Sequence, residues 1–221
     1  MKIQLLILTI LLSTNVSSLR AQGTFVNLGF ENPTVPPGTP PGIVPTSAAF
    51  PGWTSPATIA AYDQMGLGGT AVLSLLSSNA TIGFPFTPFD GRYTAVLQGG
   101  ITPGDPSMSL AQIGTVPGDA LSLHFFAASF GNNFTVSLNG QPRNFFVLGN
   151  FVTYNEYAAD ISGFAGQTVE LRFSQPPQPG ALSLFLDNIS FSPVAVPEPS
   201  TWALLALGTA AFCYAARRRR K

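Results

Sequence analysis

Between residues 22 and 195 the apolar positions come in short runs of β-branched and aromatic residues, cut by Gly, Pro, Asn and Asp. No window places apolar residues at i, i+3, i+4 and i+7 with charges between them, so the period is that of strands rather than helices. The runs predict strands over 24–30, 53–62, 93–98, 109–113, 121–129, 134–138, 144–148, 152–160, 168–173 and 182–191, and a strand or a helical turn over 71–76. In 168–173 (TVELRF) the alternation is clean and sends Glu170 and Arg172 outward. Asn139-Gly140, between 134–138 and 144–148, tolerates positive φ at both central positions of a turn and predicts a hairpin joining those two runs. Seven prolines between residues 33 and 51 leave no central strand there and predict a long surface loop of polyproline character. The expected fold class is all-β: an antiparallel β-sandwich of jelly-roll type.

The two ends break this pattern. Met1-Lys2 precede a largely apolar run over 3–12 and a more polar stretch of small residues ending at Ala21. This is the build of a signal peptide over 1–21, too short to span a membrane. At the other end Pro197-Glu198-Pro199 is followed by an uncharged run over 202–216 and then by Arg217, Arg218, Arg219, Arg220 and Lys221. A helix of that length reaches about 23 Å, short of a hydrocarbon core of about 30 Å. The flanking Ser200, Thr201 and arginine stems extend it enough for a temporary transmembrane anchor, with the cations as a stop-transfer block held on the cytoplasmic side. Three segments follow: signal peptide 1–21, β-sandwich 22–195, C-terminal signal 196–221.

Charge then changes the picture of the middle. The formal net charge is zero over all 221 residues. The middle, however, holds only three cations, Arg92, Arg143 and Arg172, against nine acids, which leaves −6. Without a basic stripe for phosphates, nucleic acid is excluded as an expected partner. The single cysteine, Cys213, lies in the C-terminal apolar run as a small apolar residue, so no disulfide supports the sandwich.

The order Pro-Glu-Pro, apolar helix, terminal Arg cluster resembles the PEP-CTERM protein-sorting signal. The resemblance implies export through the inner membrane, anchoring by the C-terminal helix, and processing near Pro197, Glu198 and Pro199 by an exosortase-type enzyme. The product would reside at the cell surface or in the extracellular matrix. A second resemblance lies in the middle: Asn27-x-x-Phe30-Glu31, Pro51-Gly52-Trp53, a late G-x-T-V-E-L-R-F and Leu186-Asp187-Asn188-Ile189. These are similar to the galactose-binding-like jelly roll shared by many carbohydrate-binding modules. It implies that Glu31 and Asp187 lie adjacent and hold a structural Ca²⁺, an ion that takes hard oxygen ligands.

Catalytic chemistry is sparse. His124 is the only histidine and sits between apolar neighbours, as strand histidines do. There is no HExxH and no His/Cys cluster for zinc. Gly66-Leu67-Gly68-Gly69 lacks the spacing and following helix of a nucleotide loop. A glycosidase needs two carboxylates about 5–10 Å apart, whereas Glu156 and Asp160 on one strand would lie about 13 Å apart. Asp90 is a freer acid but stands alone in sequence. Trp53, Tyr62, Tyr93, Tyr154 and Tyr157 offer flat faces to sugar rings, with core packing as the alternative, and Arg92 offers a cation for an acidic sugar or for Asp90. The expected function is that of a non-enzymatic surface or matrix protein, structural or adhesive, with extracellular polysaccharide among its partners. A specific carbohydrate-binding module and a secreted glycoside hydrolase are the alternatives.

Overall fold

The computed structural model describes residues 23–65, 71–80, 82–83, 86–102, 104–129, 133–180, 182–196, 207 and 209. The segment 1–21, the Pro197-Glu198-Pro199 motif, the 217–221 cations, Cys213 and Gly66-Leu67-Gly68-Gly69 lie outside the described residues. Among the described residues no helix is long and apolar enough to cross a membrane.

In chain order the strands are β1 (Gly42–Pro45), β2 (Ile59–Tyr62), β3 (Val72–Leu76), β4 (Thr94–Gln98), β5 (Met108–Thr115) and β6 (Ser122–Ser129). Then follow β7 (Thr135–Leu138), β8 (Gln141–Pro142), β9 (Phe145–Asn150), β10 (Asn155–Asp160), β11 (Thr168–Gln175) and β12 (Ser183–Ser192). They build a sandwich of two sheets, β1-β2-β3-β4-β12-β6-β10-β9 and β5-β11-β7-β8. Every pairing between strands is antiparallel except β2 with β3, so the expected antiparallel sandwich holds with one parallel step.

Period-2 alternation makes the core. Leu73 and Leu75 of β3, Ala95 and Leu97 of β4, Leu123, Phe125 and Ala127 of β6, and Leu184 and Leu186 of β12 point inward. They meet Leu110 of β5, Val136 and Leu138 of β7, and Val169, Leu171 and Phe173 of β11 from the other sheet. Phe125 is the hub, set edge-on to Phe173 and Phe134 and stacked on Tyr157. Fully burying one such side chain is worth about 2–3 kcal/mol.

Three sequence expectations need correction. Residues 24–30 form turns, not a first strand. Asn27 and Phe30 take positive φ, which a regular ladder without a bulge does not accommodate. The Gln112 side chain replaces a neighbouring strand instead: Val26 N–H donates to Gln112 Oε1 at 2.6 Å, and Gln112 Nε2 donates to Val26 C=O at 3.0 Å. Phe25 packs over Gly114, where any Cβ would fall 2.8 Å from its ring. Secondly, Asn139-Gly140 makes the expected turn, with φ of 49° and 73°, but β7 pairs with the two-residue β8 rather than with 144–148. The chain then crosses to the other sheet, where β9 pairs with β10. Thirdly, only 59–62 of the 53–62 run is strand, and Thr54 contributes a single bridge to Ala111. The proline-rich loop also contains β1 and a one-turn helix (Thr46–Ala49), with β1 confined to a sheet edge, where Pro45 is tolerated.

Candidate functional site

The site grows from the turn at Asn27. Asn27 Nδ2 donates to Pro51 C=O, and Trp53 Nε1 donates to Asn27 C=O at 3.0 Å. Trp53 is thereby drawn inward, 5% exposed and tilted against Phe30. This corrects its assignment as a ligand-binding face: it is a core residue that ties two early motifs together. The same turn is joined to the last strand, because Ile189 N–H donates to Leu28 C=O. Glu31, four residues past Asn27, therefore lies on the β12 side of the molecule.

β12 carries a bulge between Asp187 and Ser190. Asn188 takes φ of 44° there, and the extra residue keeps Leu186, Ile189 and Phe191 inward while Asp187 faces the outer side of the sheet. Asp187 is nonetheless fully buried. Its Oδ2 accepts from Asp90 N–H at 3.1 Å and from the Thr94 hydroxyl at 2.9 Å, and its Oδ1 accepts from Asn188 N–H at 2.7 Å. Thr94 in turn accepts from Phe89 N–H. Burial pushes the Asp187 carboxyl up to about 7, against these hydrogen bonds, which pull it down.

Glu31 holds the other half of the same loop. Arg92 N–H lies 2.9 and 3.0 Å from its two oxygens, and Tyr93 N–H lies 3.0 Å from Oε1. Gly91, at φ +57°, passes so close that a Cβ there would sit 2.6 Å from the Glu31 carboxylate. Glu31 and Asp187 thus both hold the loop 88–93, through its backbone donors. The donor set fits that strap rather than a Ca²⁺ shell, which needs six to eight oxygens. Both carboxylates already accept N–H or O–H groups, and among the described residues no three His, Cys, Asp or Glu side chains are grouped for an ion.

The anchored loop forms one wall of a cleft of about 570 Å³. The proline-rich segment, with Pro33, Pro36, Pro37 and Pro41, forms a second wall, and Ser77, Ser78 and Asn79 a third. Tyr62 and Tyr93 line it, with hydroxyls 3.4 Å apart. Burial and the neighbouring Tyr93 raise the Tyr62 hydroxyl pKa, so it stays protonated. Asp63 accepts Ser77 N–H at 2.7 Å and is buried. Arg92 is exposed, its guanidinium 5.5 Å from the Tyr93 ring centre. Of the sequence-named ligand residues, Tyr93 and Arg92 are brought together here. Tyr62, one of the five aromatic candidates, joins them, whereas Asp63 and the proline wall were missed because nothing local in sequence links them to it.

The remaining titratable candidates lie on the outer face of the larger sheet. His124 Nδ1 is 3.2 Å from Glu156 Oε1, and its Nε2 is 3.0 Å from Ser122 Oγ. The order Ser, His, acid is that of a nucleophilic relay. Ser122, however, is fully buried and donates its proton to Val194 C=O at 2.6 Å. A nucleophile needs access and a proton free for its base, so this chain of groups pins the exit of β12. Asp160 caps Ser162 N–H at 2.9 Å. Glu156 and Asp187 both stand opposite Phe126, two strand spacings or about 10 Å apart, but the buried Asp187 offers no oxygen to a substrate.

Solved structures similar to this chain include a Stig cyclase, Fisc, from Fischerella sp. TAU, at TM-score 0.45 and 14% identity over 76% of this chain and 95% of that one. The K2 cleaved adhesin domain of Lys-gingipain matches at TM-score 0.40 and 16% identity, over 64% and 90%. A carbohydrate-binding module, TmCBM61, in complex with beta-1,4-galactotriose, matches at 0.40 and 11%, over 78% and 99%. No curated protein matches the sequence. Residues 195–220 match the PEP-CTERM protein-sorting motif. The chain is a β-sandwich that carries a PEP-CTERM sorting motif, and that motif implies export, membrane-associated sorting and processing by an exosortase.

Proposed function

We propose that this protein is a non-enzymatic component of the cell surface or extracellular matrix that binds extracellular polysaccharide through the Tyr62–Tyr93 cleft. The observation that carries the reading is the cleft itself. It is open, lined by paired tyrosine hydroxyls, serines, an asparagine and rigid proline rings, and braced from behind by two carboxylates. Sugar-binding sites combine flat apolar faces with a few fixed polar groups, and this lining supplies both. The sorting motif supports the location. The hydrolase alternative is less favoured, because the one histidine relay is sealed and Asp187 is inaccessible.

Two measurements test this. Mass spectrometry of the protein recovered from its native host should show a C-terminus trimmed near Pro197-Glu198-Pro199; an intact arginine terminus removes the processing step. Affinity electrophoresis of the same protein through gels containing polysaccharides should show retardation by at least one, weakened by Asn79→Ala at the exposed rim of the cleft. Migration unaffected by every polysaccharide removes the cleft as a glycan site.

A further inference from the structure

Three cations serve the whole sandwich, and the structure accounts for two of them. Arg172 is clasped by Glu170, with Nε–Oε1 at 2.9 Å and Nη2–Oε2 at 2.8 Å, which holds the Glu170 carboxyl below its usual range. Arg143 donates to Pro142 C=O and Gln141 and lies over the Phe164 ring. Among the described residues the guanidinium of Arg92 makes no hydrogen bond and no ion pair; it lies 5.5 Å from the Tyr93 ring centre. It is also the one exposed charge that faces the cleft. Glu31 and Asp63, the other charged groups lining it, spend their oxygens on backbone N–H groups.

We infer that the cleft selects an anionic sugar, a carboxylated or sulfated pyranose unit, whose acidic group is received by Arg92 while its ring lies against the proline wall. This rests on the carbohydrate reading above and narrows it. The fork of guanidinium donors matches a planar carboxylate or a sulfate edge, and its backbone is fixed because Glu31 holds the Arg92 N–H. The surrounding body, at −6, repels polyanions at long range. At physiological salt, charges beyond about 8 Å are screened, so only the contact at Arg92 remains. The consequence is a salt profile opposite to that of a basic patch: affinity for a polyanion rises from very low to physiological salt before it levels off.

The experiment is affinity electrophoresis of the full chain, in detergent, against polygalacturonate, a sulfated galactan and a neutral galactan at two salt concentrations. The expected result is retention by one or both acidic polymers and at least tenfold weaker retention by the neutral one. Arg92→Gln should weaken the acidic binding at least tenfold, with the melting temperature little changed because the side chain makes no hydrogen bond or ion pair and only an exposed contact with the Tyr93 ring. Preference for the sulfated over the carboxylated polymer, or the reverse, identifies which acid the site takes. Retention of the neutral galactan at equal strength, unaffected by Arg92→Gln, overturns the anionic selection and leaves the carbohydrate reading standing. Retention by none of the three overturns both.

Discussion

Glu31 and Asp187 grip the same loop from opposite ends, and they do so in opposite environments. Glu31 is half-exposed, and its two oxygens serve two successive backbone N–H groups, Arg92 and Tyr93. Asp187 is sealed beneath the loop, serves Asp90, Thr94 and Asn188, and is forced towards its neutral form. The exposed anchor is an electrostatic clamp whose strength solvent dilutes. The buried anchor is a structural pin whose removal strands donors in a dry place. A cleft wall fixed at both ends in this way presents Arg92 and Tyr93 at a defined spacing, without any contribution from a disulfide.

The contrast sets the order of effects. Asp187→Ala should be the most damaging change, about 3 kcal/mol, because three donors lose their acceptor in the interior; a denaturant titration reads it, and a loss no larger than that of Glu31→Gln would erase the distinction between the anchors. The pH response comes next. The Asp187 carboxyl is raised on folding, so its stabilising contribution is complete below about pH 4 and is lost as the pH climbs through about 7. Melting temperature should therefore decline over that interval, and the decline attributable to this group should vanish in Asp187→Asn. Gly91→Ala should cost about 2 kcal/mol, since it combines a strained positive φ with displacement of the Glu31 carboxylate. Glu31→Gln should cost only about 1 kcal/mol, yet weaken glycan retention by loosening the Arg92 backbone. Smallest of all is the response to Ca²⁺: melting curves with the ion and with chelator should coincide. A higher midpoint with Ca²⁺ would show an ion competing with the loop donors and restore the metal role for Glu31 and Asp187.

Much of the sandwich was legible because strand alternation is written locally. β4, β6, β11 and β12 begin and end within about two residues of their expected limits, as boundaries of this kind do, and 168–173 alternates as read. Residues 24–30 misled because their apolar residues, Phe25, Leu28 and Phe30, are core residues delivered by turns. A burial pattern does not distinguish a strand from a turn with the same inward side chains. Asn139-Gly140 specified its turn but not the partner strand, which depends on where Pro142 breaks the ladder. The cleft was the least legible part. Glu31 reaches Arg92 and Tyr93 across sequence separations of 61 and 62 residues through side-chain to backbone bonds, and such bonds leave no periodic trace. Only the short motifs around Asn27 and Asp187 hinted that those two segments belong together.

The route by which β12 leaves the sandwich has a mechanical meaning. A protein tethered through its C-terminal end feels every tug at Val194, and the tug runs directly into β12, flanked on one side by β4 and on the other by β6. Force along that axis loads two rows of interstrand bonds in shear, all at once, instead of peeling them one by one from a rim. The Ser122 clasp on Val194 directs the pull into the middle of the sheet, where an anchored molecule withstands it best.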